Sequence, residues 1–187
     1  MDNLTGMLYQ DQPQIAGLPF DKDGLEANGC ATTATNNVLQ LMGRGVPYEQ
    51  IYAWHRENGD SNFPGTIPWR TEQYIKDMVP DVNIRSAASL FGMVVPMEDK
   101  ETLLRAQAQQ VISEDGYGIL CFTYSNPDGS IGAHYVAVES NPDHTIGVYD
   151  YDPNTGTAGP KPYKNVHDYI RRQKNGVLLS AWGLSPK

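Results

Sequence analysis

Cysteine is scarce in this chain: 187 residues hold two, Cys30 and Cys121. Two thiols leave room for at most one disulfide and exclude a disulfide scaffold, and a cysteine-based zinc site would lack ligands. Basic residues are also few, with 14 Lys and Arg against 22 Asp and Glu and a formal net charge of −8. That balance argues against nucleic acid and against an anionic membrane surface as partners. No basic stripe with interleaved aromatics offsets it. No apolar run approaches the roughly 20 residues needed to span a bilayer. Met1-Asp2-Asn3-Leu4 lacks the basic start and apolar core of a signal peptide. The expectation is a cytoplasmic protein, or one exported by a non-classical route. No internal repeat, low-complexity tract or linker divides the chain, which reads as one domain over 1–187.

What is present is an ordinary globular composition, 40% hydrophobic and 10% aromatic. The stretch from Asn28 to Met42 stands out. After Cys30, the positions Ala31, Ala34, Val38, Leu41 and Met42 recur at helical spacing. Asn28 is the expected N-cap, and Gly43 and Gly45 follow where a helix should stop. Cys30 then sits in the first turn, where unpaired N–H groups and the helix dipole favour a thiolate.

Before that helix, residues 1–29 read as a short strand or extended arm near 6–12 and a loop. Further helices are expected from Val46-Pro47, over 70–78 and over 97–113, with an extended piece at 79–90. His55 reads as a capping or packing residue of the second helix. The character changes after residue 115. Strands are expected over 118–124, 133–139, 145–152 and 176–182, with a short helix over 166–173. Turn-rich segments at 125–130 and 141–143 join consecutive strands and imply antiparallel pairing. The fold class is α+β: a helical part over about 28–115 packed on an antiparallel sheet over about 117–185. Cys121 lies in the apolar run Tyr117 to Tyr124 and reads as an inert strand residue.

A cysteine at a helix start becomes a nucleophile candidate when a histidine can take its proton. His134 leads the strand Gly132-Ala133-His134-Tyr135-Val136-Ala137-Val138, and Val136 and Val138 share its inward face by the period of two. A third group should fix the imidazole tautomer. The next strand ends in Tyr149-Asp150-Tyr151-Asp152-Pro153, and an antiparallel strand's end meets its neighbour's beginning. Asp152, where that strand breaks at proline, is the first choice, with Asp150 on the same face as the alternative.

On these residues the chain resembles the papain-like cysteine peptidase clan, and within it the double-glycine leader peptidase-like family of bacteriocin-processing domains. The likeness rests on Asn28-Gly29-Cys30-Ala31-Thr32-Thr33-Ala34 and Gly65-Thr66-Ile67-Pro68, then on the strand 118–123. It continues through Gly132 to Val138 and Asp150-Tyr151-Asp152-Pro153-Asn154-Thr155-Gly156. The resemblance implies a papain-like fold and a thiol peptidase or amidase acting on a peptide or protein substrate, with no cofactor or metal. Cys30 would be the nucleophile, His134 the general base and then acid, and Asp152 the orienting group. A glutamine ahead of the cysteine would serve the oxyanion beside the Cys30 N–H. The family has a glutamine a handful of residues before the cysteine, yet position 24 here is Gly24. Gln12 is the choice among Gln10, Gln12 and Gln14. Where the family commonly has a second glycine after the cysteine, Ala31 stands here.

Other readings compete. The same apparatus would serve an acyltransferase, and a fold that lost its activity would serve as a binding or structural module. Metal binding by His134, Asp150 and Asp152 lacks a fourth ligand and the local spacing of zinc sites. The oligomeric state has no sequence signal.

Overall fold

A computed structural model describes residues 7–8, 29–58, 68–90, 97–150 and 159–187. Helices dominate the first half: α1 (Cys30–Leu41), α2 (Tyr48–Asn58), α3 (Pro68–Met78) and the long α4 (Met97–Asp115). Strand β1 (Val82–Ser86) and a 3-10 turn (Ala87–Leu90) lie between α3 and α4. The second half adds β2 (Tyr117–Ser125), β3 (Ile131–Ser140), β4 (Ile146–Tyr149), β5 (Lys161–Tyr163), α5 (Val166–Arg172) and β6 (Val177–Pro186). The architecture is α+β, with helices packed on an antiparallel sheet.

The six strands form one sheet in the order β1-β6-β2-β3-β4-β5. Its ladders are antiparallel throughout. Three features depart from the sequence reading. The extended piece after α3 is a sheet strand: β1 pairs with β6 from Val82↔Pro186 to Ser86↔Trp182. The last strand therefore runs to Pro186 rather than 182, because its final residues have β1 as a partner. Strand β5 was not expected; three residues centred on Pro162 carry no alternation to read. Finally, β4 stops at Tyr149 rather than continuing to Asp152, and residues 151–158 lie outside the described ones.

The sheet separates two apolar clusters, and alternation along each strand sends successive side chains to opposite sides. On one side Cys30, Ala31, Ala34, Val38 and Leu39 of α1 meet Ile119, Cys121, Tyr135, Ala137 and Trp182. On the other, α4 and α5 meet Leu120, Phe122, Val136 and Val138. Helix α4 lies so close to β6 that a Cβ at Gly183 would stand 2.6 Å from the Val111 carbonyl oxygen. Glycine is the residue that permits that approach.

Helix α1 is buried over nearly its whole length, including the polar residues Thr32, Thr33, Thr35 and Asn37. Their hydrogen bonds offset the burial. Thr33 and Thr35 hydroxyls donate to the carbonyls of Gly29 and Ala31. Asn37 accepts from the Leu8 N–H at 2.9 Å and donates to the Leu8 carbonyl at 2.7 Å, which holds Leu8 against the helix. The helix ends at Gly43, whose φ of +66° suits glycine. There the N–H groups of Gly43 and Arg44 return to the carbonyls of Gln40 and Leu39, a Schellman arrangement.

Candidate active site

Cys30 is the first residue of α1, and Gly29 rather than Asn28 occupies the N-cap; Asn28 lies outside the described residues. Glycine brings no side-chain cap. The first intrahelical bond is Thr33 N–H to the Gly29 carbonyl. The first-turn N–H groups, that of Cys30 included, have no partner within the helix, and the positive end of the helix dipole falls on the thiol. Cys30 packs against Cys121 and Tyr135, with 8% of its surface open to solvent.

His134 reaches this thiol. Its ring interacts with the Cys30 side chain and with Asp150. The second interaction is short and specific: Nε2 donates to Asp150 Oδ1 at 3.0 Å. A carboxylate only accepts, so Nε2 carries the proton and Nδ1 is left for the thiol. Burial alone would lower the His134 pKa. Hydrogen bonding and electrostatic interaction with Asp150 and Cys30 outweigh it, and the pKa stands well above its ordinary value. Phe122, the cross-strand partner of His134, sets its ring edge-on to the imidazole at 5.8 Å and 89°. These three contacts restrict the ring's orientation.

The pair straddles the sheet. Cys30 belongs to the cluster under α1, whereas His134 shares the opposite face with Phe122, Val136 and Val138. They meet at β3 because β4 pairs only with Ala137 to Ser140. At the level of His134 that edge of β3 has no ladder partner among the described residues. The inward face anticipated for His134 is thus real, and it is the face away from α1.

The carboxylate that the structure brings to His134 is Asp150, the alternative from sequence. The ladder ends with Ala137↔Tyr149. Continued by the same register, it would place Asp150 opposite Val136 and Asp152 opposite His134. The ladder does not continue among the described residues, and Asp150 reaches His134 as the diagonal neighbour on the same face. Asp152 itself lies outside the described residues, as do Gln10, Gln12 and Gln14. The nearest described part of the arm is Leu8, pinned by Asn37 four residues before Gln12.

Other titratable groups near α1 are structural. Burial pushes the Cys121 thiol up to about 12, against a hydrogen bond from Tyr135. His55 is fully enclosed and pushed down to about 3 by burial, with Thr32 on its Nδ1 at 3.0 Å. It packs against Trp54 and Tyr74. Two residues around the imidazole carried no sequence signal: Phe122, and Tyr169 stacked edge-on to it at 5.5 Å. The Tyr169 hydroxyl is buried without a hydrogen-bond partner among the described residues. Among the described residues no group of three or more His, Cys, Asp or Glu side chains gathers as a metal site. No helix there is long and apolar enough to cross a membrane.

No protein-family model matches this chain, and no curated protein matches it.

Proposed function

We propose that this protein is a papain-like thiol hydrolase that cleaves a peptide or related amide bond through Cys30, His134 and Asp150. The observation that carries the reading is the relay itself. A cysteine at a helix N-terminus interacts with a histidine whose other nitrogen donates to a carboxylate at 3.0 Å. Those are the parts nucleophilic acyl transfer needs: a thiol, a proton acceptor beside it, and a group holding the acceptor in the right tautomer.

In this reaction His134 takes the Cys30 proton, and the thiolate adds to the substrate carbonyl. The oxyanion so formed lies near the Cys30 N–H, with a glutamine of the arm, Gln12 by first choice, as the second donor. Collapse breaks the C–N bond as the His134 imidazolium protonates the departing amine. Water, deprotonated by His134, then hydrolyses the Cys30 thioester and frees the acid. An amine in place of that water would give acyl transfer with the same groups.

The test is alkylation with iodoacetamide across pH, read residue by residue by mass spectrometry. The reading expects Cys30 to react fast and selectively below pH 7, and His134→Ala to abolish that advantage. A Cys30 that reacts no faster than a free thiol, or only on unfolding, would leave a catalytically inactive binding module as the better description.

A further inference from the structure

Helix α5 carries a buried polar atom that the relay described above does not use. Tyr169 is 2% exposed, and its hydroxyl is buried without a hydrogen-bond partner among the described residues. A phenylalanine would fill the same space at lower cost, so a hydroxyl kept there calls for a reason. Its place in the fold supplies one. The ring meets Phe122 of β2 edge-on at 5.5 Å and Tyr163 of β5 at 4.9 Å. In the order β2-β3-β4-β5 these two strands flank β3 and β4. Tyr169 therefore lies across the two strands that bring His134 and Asp150, on the face those residues share with Phe122. The chain that leads to α5 is pressed against the same spot. A Cβ at Gly159 would stand 2.9 Å from the Val148 carbonyl oxygen and 3.6 Å from the Asp150 nitrogen.

We infer that Tyr169 is a positioning residue of the relay, whose hydroxyl turns its O–H dipole toward the Asp150 carboxylate and so limits the hold of Asp150 on the His134 proton. The inference rests on the thiol-hydrolase reading above and adds a residue to it. A hydroxyl hydrogen rotates to suit its surroundings. Without an acceptor in reach it follows the strongest local field, and in a buried site that field is weakly screened. The titratable groups that face Tyr169 from neighbouring elements are Asp150 and Tyr163, and both act on it electrostatically. Of the two, the carboxylate bears the full negative charge. The other charges nearby are engaged elsewhere. On α5 itself Asp168 pairs with Arg171 and Arg172, and Arg105 of α4 is taken by Glu101 and the Gly176 carbonyl. The positive end of the hydroxyl dipole offsets part of the field that Asp150 exerts on His134. Asp150 thus raises the proton affinity of the imidazole, and Tyr169 trims it. The reaction needs that balance. His134 must hold the Cys30 proton, release it to the departing amine and be neutral again to deprotonate water.

The experiment reads the His134 titration midpoint from imidazole C–H resonances in the unsubstituted protein, Tyr169→Phe, Asp150→Asn and the double variant. Tyr169→Phe is expected to raise the midpoint by about half a pH unit, opposite in sign to Asp150→Asn. In the double variant the phenylalanine should move it no further than Asp150→Asn alone, because the carboxylate through which the hydroxyl acts is gone. An unmoved or lowered midpoint in Tyr169→Phe, or shifts that add in the double variant, would overturn the assignment. The reaction is read with p-nitrophenyl acetate, which acetylates a reactive thiol. Loss of the acetyl group from Cys30, followed by mass spectrometry, needs the neutral imidazole and should slow about three-fold at pH 7 in Tyr169→Phe. A rate that stays level while the midpoint rises would also overturn it. Failure of the ester to acetylate Cys30 in the unsubstituted protein counts instead against the thiol chemistry, and the midpoints still decide the role of Tyr169.

Discussion

His134 Nε2 donates to Asp150 Oδ1 at 3.0 Å, although Asp150 lies one residue past the end of β4 and outside the β3–β4 ladder. The bond reaches diagonally along one face of the sheet, and it gives the histidine its tautomer and its raised pKa. Several consequences can be measured.

Asp150→Asn should lower the His134 titration midpoint, as read by imidazole C–H resonances. The sign for stability follows from the same shift. A histidine whose folded pKa lies above its unfolded value near 6.5 contributes stability that is full below about pH 6.5. That contribution is lost as pH rises through the folded value. Asp150→Asn should therefore reduce stability more at pH 6 than at high pH, with urea midpoints as the measure. A larger effect at high pH would contradict the pairing.

His55 has the opposite sign. Its folded pKa of about 3 lies below the unfolded value, so the unfolded chain binds the extra proton between roughly pH 6.5 and 3. Stability should fall through that window by up to about 1.4 kcal/mol per pH unit. His55→Gln should be less stable at pH 7 yet show a flatter acid limb in denaturation series from pH 7 to 4.

Asn37→Leu removes both bonds that hold Leu8 and leaves the buried Leu8 backbone without these partners. The expected cost is about 2 kcal/mol. Because the break is local, hydrogen exchange at Leu8 should accelerate more than exchange in β2 and β3. Uniform acceleration would mean that the arm and the core open together.

Tyr169→Phe should cost little, or stabilise the protein by up to about 1 kcal/mol. It keeps the ring against Phe122 and Tyr163 and removes a buried hydroxyl that lacks a hydrogen-bond partner among the described residues. A loss above ~1 kcal/mol would mean that the hydroxyl has a partner in solution.

Much of this architecture is readable along the chain because it depends on local periodicity. The spacing after Cys30 marks α1, the alternation of 133–138 marks β3 and the inward side of His134, and Gly43 marks the helix end. These patterns report which residues share a face within one element. They carry no information about which face of one element meets which face of another.

Tertiary structure decided the remainder. That β1 joins the sheet depends on a pairing with β6 about a hundred residues away. That Asp150 holds His134 depends on where the ladder stops, because the same register carried on would set Asp152 opposite His134. That Cys30 and His134 come from opposite sides of the sheet depends on β4 leaving the β3 edge without a ladder partner at that level. Residue types and spacing were enough to nominate Cys30 and His134, because helix starts and strand alternation are local. Their partners are set by register and by sheet edges, which exist only once distant segments have packed.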